Sequence, residues 1–283
     1  WLLPSRPAVA LGILLAVIWT SFTLSLEETT PHWSFWIVWI VAFALSLRLA
    51  WLPGFHLALL AGFIWQVLWG FAIAETFTID PAWLIIVYTL EVIAIWFAAL
   101  LCSDKGPRFA AAAEAYAIAL TFVLFWFLQI RPDRAIGDGA AFYWPFLLVM
   151  FALAGSLAVL VIMRSLLEAR HAASIGAIIV ATLAYPAIEA GAPTLVPWIY
   201  AALFLALSAW LVSYGMSRDS RFAVNFAFVA FGAEVLYLYF ETMGTLLDTA
   251  LFFALGGVLL IAGSLVMERM RRRIVNQVEG DAA

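Results

Sequence analysis

The chain has 283 residues, 66% of them hydrophobic and only 11% charged, with a mean hydropathy of +1.06. A soluble domain carries about a quarter charged residues, so a water-soluble fold is excluded. The net charge of −4 comes without a basic run long enough to suggest nucleic-acid binding, and the single Cys102 excludes an internal disulfide framework or a thiolate metal cluster.

A bilayer-spanning helix takes about 20 apolar residues. The chain holds ten such runs: 8–26, 33–52, 55–74, 82–101, 109–128, 144–163, 172–188, 195–214, 222–241 and 245–266. Turn and charge signals separate them, among them Glu27-Glu28-Thr29-Thr30-Pro31, Pro53-Gly54, Asp80-Pro81, Gly106-Pro107, Gly191-Ala192-Pro193 and Met243-Gly244. The pattern predicts an all-α, polytopic integral membrane helix bundle of about ten transmembrane helices. It forms one transmembrane domain over 1–283, with 267–283 as a cytoplasmic basic tail. Residues 1–26 lack an Ala-x-Ala cleavage site, which argues against a signal peptide. Because the chain begins at Trp1, we expect an N-terminal region to precede it in the full gene product.

The basic residues orient the spans. Arg6, Arg48, Lys105, Arg108, Arg164, Arg170, Arg218, Arg221, Arg269, Arg271, Arg272 and Arg273 fall on one side, twelve of the fourteen. Only Arg131 and Arg134 fall on the other, beside Glu27, Glu28, Glu75, Asp80, Asp133, Asp138, Glu189, Glu241 and Asp248. Lys and Arg accumulate on the cytoplasmic side, so both termini are expected to be cytoplasmic, in a bacterial inner membrane. Four even-numbered spans open with His32-Trp33, Pro81-Ala82-Trp83, Tyr143-Trp144-Pro145 and Pro197-Trp198. Proline suits a first helical turn and Trp the headgroup level, so these read as an aromatic belt. They also fit an old repeat of two-helix hairpins.

Three carboxylates lie inside spans. Glu91 is about 14 Å from the outer end of its span and Glu234 about 18 Å from the inner end of its own, so both are placed near the midplane. Glu114 is roughly 8 Å from the cytoplasmic edge, where it complements the helix dipole and reaches water. No Lys or Arg lies deep in a span. Glu91 and Glu234 are therefore expected to be protonated or to sit in a wet cavity. Helical spacing adds Tyr88 one turn before Glu91, Tyr237 and Glu241 after Glu234, and Thr121 in line with Glu114. Gly62, Gln66 and Gly70 make a small–polar–small stripe on the third span. The candidate polar site thus comprises Glu91, Glu234, Tyr88, Tyr237, Gln66, Glu114 and Thr121, between spans 3, 4, 5 and 9.

Other groups offer less chemistry. His32, His56 and His171 fall at span ends on different sides, so a three-His metal site is not expected, nor any cofactor. Asp133 and Asp138 in the longest outer loop offer a cation site or a solvated loop. No phosphate loop, nucleophile elbow or HExxH motif occurs. Arg269, Arg271, Arg272 and Arg273 could hold anionic lipid.

The segment Tyr239-Phe240-Glu241, Leu246-Leu247, Leu251-Phe252-Phe253, Gly256-Gly257, Leu259-Leu260 and Glu268-Arg269, followed by Arg271-Arg272-Arg273, resembles the end of the DUF2157 family. These are bacterial membrane proteins without an assigned activity. The resemblance covers residues 222–273 and departs at Leu238, where that family often has Arg. It implies a soluble segment ahead of Trp1. Ten spans and a last helix reading Gly256-Gly257-Val258-Leu259-Leu260-Ile261-Ala262-Gly263 before an Arg cluster are also similar to the drug/metabolite transporter (EamA-like) exporters. That likeness implies two inverted five-helix repeats. Three functions remain open. The first is a small-molecule or proton-coupled transporter built on the intramembrane glutamates. The second is a non-catalytic scaffold or subunit among membrane-protein partners. The third, ranked last, is an intramembrane enzyme, for which no nucleophile–base or metal set appears.

Overall fold

The computed structural model describes residues 5–25, 34–76, 80–130, 140–243 and 249–280. For residues 25, 140–142, 242–243, 249–252 and 273–280 it describes the backbone alone. His32, Trp33, Asp133, Asp138, Arg131, Arg134, Glu27, Glu28 and Asp248 lie outside the described residues, as does the side chain of Arg273. The described chain is ten α-helices and no strand. They are α1 (Arg6–Ser25), α2 (Ser34–Arg48), α3 (Leu52–Thr76), α4 (Pro81–Leu101) and α5 (Pro107–Gln129), then α6 (Ala140–Met163), α7 (Ala169–Gly191), α8 (Val196–Ser217), α9 (Arg221–Met243) and α10 (Thr249–Gly280). Among the described residues nine helices are long and apolar enough to cross a membrane; α2, described over 15 residues, is the shorter one.

Helix ends follow local chemistry. Asp80 caps α4, its carboxylate accepting from the Ala82 amide at 2.8 Å, and Pro81 occupies the first turn where a missing N–H costs nothing. Pro145 departs from that expectation. α6 begins at Ala140, so this proline lies inside the helix. Pro186 is likewise internal to α7, and the Tyr200 hydroxyl donates to the nearby Ala181 carbonyl at 2.6 Å. The amide that Pro186 lacks would have donated to the Thr182 carbonyl, one residue beyond the carbonyl that Tyr200 engages.

Three turns on the basic side share one geometry. Ala50, Ser165 and Asp219 each have positive φ (47°, 52° and 49°). After each of them the next amide reaches back to a carbonyl five residues earlier: Trp51 to Ser46, Leu166 to Val161, and Ser220 to Gly215. This is the Schellman closure of a helix, here made without glycine.

Packing divides the bundle unevenly. α4 is the most enclosed helix, running along α5 and α6, with Leu90, Ile93 and Trp96 fully buried. α8 packs along α9, and α5 bridges to both. α1, α2 and α3 form their own cluster around Val9, Ile13, Phe35, Ala58, Trp65 and Trp69. Among the described residues that cluster meets the rest thinly, chiefly through α3 against α4 and α5. α10 packs chiefly on α9.

The outside is apolar: Ile18, Ile37, Val149, Met163, Val180, Val229, Val258 and Ile261 are all more than half exposed. Such a surface needs lipid around it, and helices meet the bilayer's demand that backbone groups pair internally. Trp144 and Trp198 are half exposed, as belt residues should be. Trp83 is instead buried, packed with Leu84, Tyr143 and Leu147.

Candidate functional site: an aromatic cavity ending at Glu91

The thin contact between the α1–α3 cluster and the rest leaves a cavity of about 670 Å³ among α2, α3, α4 and α5. Its floor is Gln66 and Glu91. Gln66 Nε2 donates to Glu91 Oε1 at 2.6 Å, and the Tyr88 hydroxyl donates to the Gln66 backbone carbonyl at 2.6 Å. The two glycines of the α3 stripe make this approach possible. A Cβ at Gly62 would stand 2.9 Å from the Trp39 indole nitrogen, and one at Gly70 would collide with the Tyr88 hydroxyl. Small residues thus admit two aromatic neighbours and leave Gln66 between them to reach α4.

The wall is aromatic. Trp36 meets Trp39 edge-on at 5.3 Å, Trp39 stacks on Phe43 at 5.0 Å, Phe43 tilts against Phe55 at 5.2 Å, and Phe55 meets Phe109 at 5.1 Å. The Trp39 indole N–H is already committed, to the Ala58 carbonyl at 2.7 Å. Toward the basic side the lining reaches Leu47, Ala50, Cys102, Lys105 and Gly106, at the α2–α3 and α4–α5 turns. Cys102 is exposed at that end. Glu91 lies ten residues into α4, about 15 Å along it. The cavity therefore runs from the basic-side turns to mid-helix, and its one carboxyl stands at the deep end. Glu91 is half-buried, and Oε1–Gln66 is its one hydrogen bond among the described residues.

The other predicted residues lie elsewhere. Glu234 is 1% exposed and accepts from Gln129 Nε2 at 2.8 Å, while its second oxygen and Gln129 Oε1 are buried without a hydrogen-bond partner among the described residues. Gln129 is the last residue of α5, so Glu234 is held at that helix's end and not beside Glu91. Tyr237 stands edge-on to Trp126 at 5.6 Å. Thr121 is buried, its hydroxyl without a hydrogen bond among the described residues.

Glu114 faces α8: it accepts from the Tyr214 hydroxyl at 2.5 Å, the Tyr214 oxygen accepts from Trp96 Nε1 at 2.9 Å, and Arg218 Nη2 lies 4.0 Å away. Gln66, Tyr88 and Glu91 are thus brought together; Glu114, Thr121, Glu234 and Tyr237 are not among the residues lining this cavity.

The histidines also have local partners. His56 Nδ1 is 3.2 Å from the Tyr116 hydroxyl. Trp210 Nε1 donates to His171 Nδ1 at 3.0 Å, and Ser217 Oγ is 3.1 Å from His171 Nε2. Among the described residues no three of His, Cys, Asp and Glu are grouped to hold a metal ion. In the tail, Glu268 pairs with Arg271 at 2.8 Å and Arg272 at 2.6 Å, while Arg269 is exposed.

Sequence reasoning missed the partners and the wall. Gln129 and Tyr214 carry no local signal, since each meets its acid across 100 residues or more of chain. The wall did have one: Trp36, Trp39, Phe43 and Leu47 recur at helical spacing on α2 and all line the cavity.

Comparison with family models, curated proteins and solved structures finds no match. The fold and surface define a class: a polytopic α-helical membrane protein.

Proposed function

We propose that this protein is a small-molecule transporter coupled to protons, with Glu91 as the group that alternates between proton and substrate. The observation that supports this reading is the cavity. It runs from the basic-side turns to mid-helix and ends at a half-buried carboxyl with an oxygen to spare. An intramembrane acid facing a cavity is the arrangement that proton relays use.

In this reading the membrane is a bacterial inner membrane, both termini are cytoplasmic, and the cavity opens inward, because twelve of the fourteen basic residues share that side. The kinship we propose is DUF2157-like through residues 222–273, or alternatively with EamA-like exporters. Arg269, Arg271, Arg272 and Arg273 would contact anionic lipid, with Glu268 offsetting part of that charge.

A scaffold or subunit role is the second reading, favoured by Glu234 and Glu114. Both are bonded to neighbouring helices in the way packing acids are. Inverted vesicles holding a pH gradient distinguish the two readings. Added in turn, small organic amines, acids and neutral solutes should include one class that collapses the gradient in wild-type vesicles and not in Glu91→Gln vesicles. A gradient untouched by every class, with both Glu91→Gln and Glu234→Gln lowering thermal stability, would favour the scaffold.

A further inference from the structure

The lining of the cavity points to a specific ligand chemistry. Its polar side chains are few and segregated, with Gln66 and Glu91 at the deep end and Lys105 with Cys102 at the mouth. Trp39 has spent its N–H on Ala58, and Gln66 has turned its amide N–H toward Glu91 Oε1. Glu91 Oε2 is thus an acceptor left for whatever enters. Among the described residues no Lys or Arg lines the deep end, so the countercharge for an ionised Glu91 has to come with the ligand. Between the two ends Trp36, Phe43, Phe55 and Phe109 offer ring faces and edges that suit an apolar or aromatic body. A volume of about 670 Å³ lies in the range of drug-sized pockets.

We infer that the α2–α5 cavity binds an apolar amine, its ammonium donating to Glu91 at the deep end and its rings or chain lying along the aromatic wall. The inference rests on the transporter reading for its direction of movement and names the substrate class for the same site. An apolar acid is disfavoured at the deep end, where its carboxylate would face Glu91. A neutral alcohol can donate one hydrogen bond but supplies no countercharge. Charge-assisted hydrogen bonds are roughly twice as strong as neutral ones, so the amine should bind about tenfold tighter than its alcohol counterpart.

The experiment is calorimetric titration of the full chain in lipid nanodiscs with 4-phenylbenzylamine, 4-phenylbenzyl alcohol and biphenyl-4-carboxylate, against empty nanodiscs. Wild type should prefer amine over alcohol by about tenfold and bind the carboxylate most weakly. Glu91→Gln should erase the preference for amine while leaving the alcohol within about twofold. Ala98→Phe, which fills the cavity, should abolish both. Occupancy should also slow maleimide labelling of Cys102 at the mouth. Equal affinity for amine and alcohol, a preference that survives Glu91→Gln, or no binding by any probe overturns the inference. If Glu91→Gln fails to fold, the wild-type charge series and Ala98→Phe still decide. Amine binding with no proton movement driven by any class leaves this site standing and removes the transport reading. Proton movement driven by another class, without amine binding, does the reverse.

Discussion

Glu91 and Glu234 look alike in the sequence, each a lone carboxyl near the middle of an apolar run. The structure gives each the same first partner, a glutamine amide: Gln66 at 2.6 Å for one and Gln129 at 2.8 Å for the other. Their surroundings then part. Glu91 borders a cavity and keeps part of its surface open, whereas Glu234 is 1% exposed between packed helices. An intramembrane acid therefore gains a chemical role from the space beside it. With space it can exchange a proton or a ligand; without space it holds helices together.

The largest expected effect is on stability, and it should fall on the sealed acid. Glu234→Ala leaves a void and strands the buried Gln129 amide, so we expect a loss of about 2–4 kcal/mol. Glu91→Ala should cost about 1 kcal/mol or less, because its site already borders open space. Denaturant titration in mixed micelles measures both, and equal losses would break the comparison. Next in size is the Glu114 relay. Tyr214→Phe leaves Glu114 and Trp96 Nε1 without their shared partner, and should cost about 1–3 kcal/mol by the same assay.

A smaller effect is expected at the floor of the cavity. Gly70→Ala pushes the Tyr88 hydroxyl off the Gln66 carbonyl and should cost about 1–2 kcal/mol, together with weaker binding at Glu91. The smallest effect has the opposite sign. Ala50→Gly relieves a left-handed residue at a Schellman turn and should stabilise by a few tenths to about 1 kcal/mol. Sidedness has its own test. A membrane-impermeant maleimide should label the single Cys102 in inverted vesicles and not in right-side-out ones; the reverse would invert the proposed topology.

The helices were legible because the bilayer imposes a length and an apolarity that any spanning segment must meet. The start of α4 was legible for a local reason, the Asp80-Pro81 cap. Pro145 misled, because a proline near a headgroup-level Trp reads as a first turn while the helix in fact starts five residues earlier, at Ala140. Within the site, Gln66, Tyr88 and Glu91 could be named because each sits one helical turn from another informative residue. The cavity could not be named: a gap between helix pairs is a failure of packing, and hydropathy records no such thing. Nor could the partner of Glu234. Counting 1.5 Å per residue places an acid along its own helix and says nothing of the neighbour it meets, here Gln129 at the end of α5.

In the proposed reading Glu91 communicates with the aqueous side and Glu234 does not. Hydrogen–deuterium exchange followed by infrared difference spectroscopy tests it on the native chain, with the carboxyl bands assigned by their loss in Glu91→Gln and Glu234→Gln. We predict that the Glu91 band shifts soon after transfer to heavy water and responds to bulk pH, while the Glu234 band does neither on that timescale. Two bands that exchange together, or a Glu234 band that exchanges first, would show that Glu91 has no privileged access to water.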